Sequence, residues 1–282
     1  MKVKERCAAC LFDRQRHLTE DSAYLQEVRQ IIDDRRENDS APYLVYLFSQ
    51  AYERHFGAPA SYAAQKKTFN DLALSMEDAI QAKIEASDDP LSAALLYARI
   101  GNYIDFGATD HVEESTFLAL FDGAVLSDDD RNTIASFVRK CERAQSFLLV
   151  ADNCGEIVFD KLFLEQLKKR FPNLTCSVMV RGGEFLNDVT EEDASYVGID
   201  SLASIVSNGK PVAGTICELL PEAARSCLDR ADVILAKGQG NYESLCGQGR
   251  NAFYSFLCKC GLFTERFHVP FLTGLFIEEG SL

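Results

Sequence analysis

Asp152 and Asn153 sit side by side after one apolar run, Asp188 follows a second, and Lys237 ends a third. The full stretches read Asp152-Asn153-Cys154-Gly155-Glu156, Leu186-Asn187-Asp188-Val189-Thr190 and Lys237-Gly238-Gln239-Gly240-Asn241-Tyr242-Glu243. Asp152, Asn153 and Asp188 are hard oxygen donors, the set that suits Mg, Mn or a similar divalent ion while leaving positions for water and substrate. Each Asp alone reads better as a helix cap. Together, at two strand ends, they favour a metal site. Lys237 closes a buried strand, where a lysine needs a partner, and a phosphate would be one. Gly238-Gln239-Gly240 lets backbone amides approach an anion closely, although it is neither a P-loop nor a full dinucleotide fingerprint. A fourth stretch, Gly101 to Ala108, spaces Asn102 and Asp105 three apart and so puts them on one helix face. The competing reading there is a helix end with Gly107 as its cap.

Such groups need strands whose carboxyl ends meet, since ligands of an open parallel sheet bind beyond those ends. After Ala144 the pattern becomes that of short buried strands: SFLLVAD at 146–152, TCSVMVRG at 175–182 and ADVILAK at 231–237. FDKLFLEQLKKRF at 159–171 is an amphipathic helix between the first two, making a strand-helix-strand unit. SIVSNG at 204–209 and FYSFLCKC at 253–260 are weaker strand candidates. Residues 1–143 predict helices almost throughout. Leu25, Val28, Ile31 and Ile32 recur at helical spacing behind Asp21, and Ser40 with Pro42 opens a helix that Gly57 closes. A long helix reaches Ala86, Pro90 opens the next, Gly101 interrupts it, and Ser127 with Asp130 forms a capping box. The expected fold is α/β, a helical lobe at 1–143 forming a bundle and an α/β lobe at 144–282. No Gly/Ser-rich linker separates the lobes, so they should pack together.

Composition excludes several classes. The 282 residues carry 29 Lys+Arg against 43 Asp+Glu, a net charge of −14, which disfavours nucleic acid and anionic membranes as partners. At 47% hydrophobic and 26% charged the chain is globular, not disordered. It lacks an apolar run long enough to span a bilayer, and the start, MKVKERCAACLFDRQRH, lacks the apolar centre of a signal peptide, so a cytoplasmic location is expected. The 10 cysteines then read as reduced thiols. Cys7 with Cys10 and Cys258 with Cys260 are close enough to be ligand or redox pairs. With no second C-x-x-C, ordinary thiols outweigh a second metal near Cys7 and Cys10 or a redox role, unless Cys260 or a histidine joins from afar. His17, His55, His111 and His268 are scattered. Oligomeric state leaves no mark in the sequence.

DNCGE (152–156), LNDVTEEDA (186–194), DVILAKGQGNYESL (232–245) and GNYIDFGA (101–108), in this arrangement, resemble the metal-dependent damage-control phosphatases. The pair Cys7 and Cys10 resembles the N-terminal C-x-x-C of the stand-alone prokaryotic branch. The resemblance implies a helical lobe on a Rossmann-like, three-layer α/β lobe with a mainly parallel sheet. It also implies one divalent metal (Mn, Ni, Co or Mg) held by Asp152, Asn153 and Asp188, with Lys237 at the substrate phosphate. The implied substrates are small phosphate monoesters, sugar phosphates or damaged phosphometabolites. On this basis Asp152, Glu156 and Lys237 form the expected catalytic set, with Glu156 and Glu243 either transferring protons or orienting amides. Gly238, Gly240 and Asn241 would hold phosphoryl charge, while Asn102 and Asp105 would read the rest of the substrate. Whether water or a carboxylate such as Asp152 attacks is left open. Two other readings compete: an S-adenosylmethionine-dependent carboxyl methyltransferase, weakened by the lack of a Gly-rich loop after the first strand, and a non-catalytic protein binding a metal or phosphometabolite.

Overall fold

Alternate residues of the strands enter two different cores. Phe147 and Leu149 face one, Leu148 and Val150 the other, so the strand is apolar throughout and must be covered on both sides. The computed structural model describes residues 1–103, 121 and 123–281. Its six strands are β1 (Ser146–Val150), β2 (Thr175–Val180), β3 (Ser204–Ser207), β4 (Val233–Lys237), β5 (Ala252–Leu257) and β6 (Gly274–Glu278). They lie in the order β3-β2-β1-β4-β5-β6, parallel except for β6, which runs antiparallel on β5. The two weaker strand candidates are thus β3 and β5, whereas β6 has no counterpart in the sequence reading.

The helices are α1 (Glu5–Leu18), α2 (Ser22–Asp33), α3 (Ala41–Phe56), α4 (Ala63–Glu85), α5 (Pro90–Gly101) and α6 (Asp128–Cys141). Then come α7 (Glu156–Arg170), α8 (Glu191–Tyr196), α9 (Glu222–Arg230), α10 (Gln239–Leu245) and α11 (Gly261–Phe267). Local chemistry fixes the starts. Asp21 accepts from the Tyr24 amide at 2.8 Å, and Ser127 and Asp130 exchange the two bonds of a capping box at 3.1 and 3.0 Å. Each cap contributes about 1 kcal/mol.

The helical region at 1–143 does not form one bundle. α4, α5 and α6 pack with α7 on one face of the sheet, where Ile80, Leu95 and Phe137 share a core with Phe147 and Phe163. A buried Arg99–Asp130 pair at 2.5 Å ties α5 to α6. Helices α1 to α3 bury Tyr24, Val28, Leu44 and Phe48 in a core of their own, and α3 leans on α10 at the opposite face. The division follows from the sheet, because both of its apolar faces need helices. Among the described residues, no helix is long and apolar enough to cross a membrane.

Candidate active site

β1 hydrogen-bonds β2 on one side and β4 on the other, so the chain leaves β1 in one direction and later returns to fill the other. Ligands of doubly wound sheets bind at that reversal, outside the carboxyl ends of the strands. Asp152 lies just beyond β1, Arg181 follows β2, and Lys237 is the last residue of β4. The Asp188 loop is stitched to the Asp152 loop by backbone bonds from Cys154 N to Asn187 O (2.8 Å) and from Val189 N to Asp152 O (2.9 Å). The ligand candidates from two separate strand ends therefore meet.

Arg181, 1% exposed, lies between them. Its Nε donates to Asp188 Oδ2 at 2.5 Å and its Nη2 to Asp152 Oδ1 at 3.2 Å, while Nη1 donates to Gly214 O and Asn241 Oδ1. Asp152 Oδ2 accepts from the amides of Asn102 (3.1 Å) and Asn153 (2.8 Å). The same two amides donate to Glu156 Oε2 at 2.9 and 3.1 Å. Burial, then the charges of Asp188 and Glu156, push the Asp152 carboxyl well above the ordinary range, against the pull of Arg181 and Lys259.

Lys237 has a different environment from the one expected. Its ammonium donates to Glu156 Oε1 and Asp160 Oδ1, both at 2.6 Å, and to Ala98 O at 2.9 Å. Three protons meet three acceptors and the side chain is 0% exposed, so in this geometry Lys237 has no donor left for a phosphate. Burial pulls its pKa down, and Asp160 with Glu156 more than offset that. Asp160 Oδ2 is buried without a partner, and burial lifts the Asp160 carboxyl to about 7.

The donor set fits a divalent cation. Asp152, Glu156, Asp160 and Asp188 place four carboxylates around the cations Arg181 and Lys237, with Lys259 also acting on Asp152. A cation bound beside Asp152 would offset the burial and like charge that push its carboxyl toward the neutral form. Among the described residues no three His, Cys, Asp or Glu side chains gather closely enough to hold a metal, so a cation on the two aspartates would need a further oxygen, such as the Asn153 carbonyl.

A family model, the damage-control phosphatase ARMT1-like domain, matches residues 3–270. The chain belongs to this family. A damage-control phosphatase of Archaeoglobus fulgidus is 31% identical over 261 residues, covering 87% of this chain and 88% of the relative. A damage-control phosphatase of Pyrococcus horikoshii is 24% identical and spans 96% of both chains. The crystal structure of a DUF89 family protein from Pyrococcus horikoshii superimposes with a TM-score of 0.81 at 22% identity over 99% of each chain, which supports the fold. Membership places this chain among the phosphatases.

In this damage-control phosphatase family member the glycines after β4 serve the protein's own groups. Gly238 has φ +79, its amide donates to Ser255 O at 3.0 Å, and a Cβ there would collide with the Asp152 carboxylate. A Cβ on Gly240 would collide with Ala213 O. Asn241 is also committed, donating to Ala151 O and Lys237 O and accepting from Arg181 and Thr215. Gly238 and Asn241 shape the site from beneath with these donors already engaged. Gly238→Ala is expected to keep the fold but displace Asp152, lowering kcat/KM by roughly 100-fold. Steady-state kinetics beside a circular dichroism melt checks this.

Glu243 stands apart from the carboxylate cluster. It is 8% exposed, accepts from Gln239 Nε2 at 3.3 Å, and has the N-terminal amine and Arg14 as its charged neighbours. Burial lifts its carboxyl to about 7. A raised carboxyl binds more protons in the native than in the unfolded chain between its ordinary value of 4.5 and about 7, so its contribution is full below that window and declines as pH rises through it. Glu243→Gln is therefore expected to stabilise the protein at pH 8, by roughly 2 kcal/mol, and to change little at pH 4.5. Melting temperatures of both forms across that range measure the difference. Nearby, Cys7 is half-buried and Cys10 exposed on α1, and no three-ligand cluster forms around them among the described residues. Asp105 and Gly107 lie outside the described residues, while Asn102 caps α5 and does reach Asp152.

Arg181 and Asp160 were not singled out in sequence. Asp160 had a signal, since it stands four residues after Glu156 on a helix otherwise apolar at that face (Ile157, Phe159, Leu164).

Proposed function

We propose that the chain is a divalent-metal-dependent phosphomonoesterase of small phosphorylated metabolites, with Asp152, Asn153 and Asp188 holding the ion. One observation carries this reading: two aspartates from separate strand ends, bridged by Arg181, sit at the reversal of the sheet beside two further carboxylates, Glu156 and Asp160. A divalent ion there would neutralise phosphoryl oxygens and activate water. Arg181 holds the two carboxylates at a fixed spacing, and Asn102 fixes Asp152 from the α5 side. Lys259, beyond β5, adds a cation beside the two aspartates. It is half-buried, its charge acts on Asp152, and it donates to Asn102 O. Free thiols at the cysteines suit a reducing compartment such as the cytoplasm.

The test is phosphate release from sugar phosphates, nucleotides and phosphopantetheine-type compounds by chelator-stripped protein, with Mg, Mn, Co and Ni added back singly. Turnover restored by one or more ions is expected. Full activity in exhaustively chelated protein would sink the metal reading, and tight metal binding without turnover on any monoester would favour the non-catalytic one.

A further inference from the structure

The orientation of one amide decides what the site offers an ion. Glu156 is 0% exposed in the first turn of α7, and its Oε2 receives the Nδ2 groups of both Asn102 and Asn153. An ionised carboxylate can only accept, so both amides must turn their NH2 ends toward it. A carboxamide carries its oxygen on the opposite side from its nitrogen. Asn153 Oδ1 is thereby turned away from Glu156, and among the described residues it meets no donor. The Asn102 oxygen is already taken by the Leu257 amide at 3.3 Å.

Glu156 is itself held. Its other oxygen accepts from Lys237, whose remaining protons go to Asp160 and Ala98 O, so the ammonium cannot turn elsewhere without losing a buried bond. We propose that Glu156 is a positioning residue whose carboxylate, locked by Lys237, joins Asp152 Oδ2 in holding the Asn153 NH2, so that Asn153 presents its oxygen and not its nitrogen to the cation site. The inference rests on the reading of Asn153 as a ligand given above. It assigns Glu156 no proton transfer and no contact with substrate.

The decisive variant is Glu156→Gln, isosteric with the wild type. Lys237 would claim the new carboxamide's oxygen, leaving its NH2 facing two other NH2 groups. The Asn153 NH2 would then be repelled from that side and held by Asp152 Oδ2 alone, so its oxygen would no longer be fixed on the ion. Calorimetric titration of the chelated protein with Mn2+ is expected to show affinity weakened roughly 10- to 100-fold. Adding Asn153→Asp to that variant should recover most of the loss, because the carboxylate it introduces can accept from the facing NH2 with one oxygen and offer the other to the ion. Asp160→Asn is the control for charge alone. It also deletes one buried carboxylate but leaves the Glu156–Asn153 contact intact, so Mn2+ affinity should stay close to wild type.

Equal losses in Glu156→Gln and Asp160→Asn, or no recovery in a folded double variant, would overturn the inference. Should Glu156→Gln not fold, a crystal structure of the wild type with Mn2+ decides, since Asn153 Nδ2 facing the ion would overturn it and Oδ1 would support it. A wild type that binds no Mn2+, Mg2+, Co2+ or Ni2+ overturns the metal reading itself. Wild-type binding with an unchanged Glu156→Gln removes only the positioning role.

Discussion

Asp188→Ala is expected to abolish metal retention and lower kcat/KM by roughly 1,000-fold, the loss of several kcal/mol of transition-state stabilisation, while the fold survives. Survival follows from the pairing of Arg181. Without Asp188 its guanidinium still reaches Asp152 Oδ1, Gly214 O and Asn241 Oδ1, so no buried cation is abandoned. Asp152, which the charge of Asp188 pushes toward its neutral form, becomes easier to ionise. The metal-free variant should therefore melt at or above the temperature of the metal-free wild type. Elemental analysis, kinetics and a melt on one preparation check all three statements. A variant that retains its ion would remove Asp188 from the ligand set.

Lys237→Met is expected to behave in the opposite way, damaging stability first. The methionine keeps the apolar stem but leaves Glu156, Asp160 and Ala98 O without their shared donor in a fully buried place. Removing one partner from a buried ion pair costs about 3–5 kcal/mol. In a chain of this size that lowers the melting temperature by roughly 10 °C. Asp160→Asn added to Lys237→Met should return part of the loss, since one stranded charge disappears. A melting temperature within roughly 2 °C of wild type would show that Lys237 is not the structural cation its contacts make it.

The contrast between these two residues shows where the sequence was legible. That Asp152, Asn153 and Asp188 come together could be read because Asp152 and Asn153 lie just past one apolar run and Asp188 in the loop after another, and run ends converge in a parallel sheet. Lys237 lies at such an end too, but the direction of its side chain depends on α7, whose Glu156 and Asp160 come from far earlier in the chain. Spacing within a strand carries no information about which helix will supply a counter-charge. Glu243 misled for a related reason: it shares a short helix with Asn241, yet the two side chains have quite different neighbours. β6 escaped notice because an edge strand with one neighbour is only half-buried, and GLFIE has just Phe276 fully inside. The helical character of 1–143 was plain from caps and periodicity, whereas its split across two faces was not, since amphipathic helices do not record which surface they will cover.

The bond from Lys237 to Ala98 O and the bonds from Asn102 to Asp152 and Glu156 join α5 and its cap to groups contributed 50 or more residues later. During synthesis α5 leaves the ribosome before Asp152 exists, and Lys237 comes later still. A nascent chain or a proteolytic remnant that ends before β4 thus carries every oxygen of the site without the lock that arranges them. Such a fragment is expected to lack turnover.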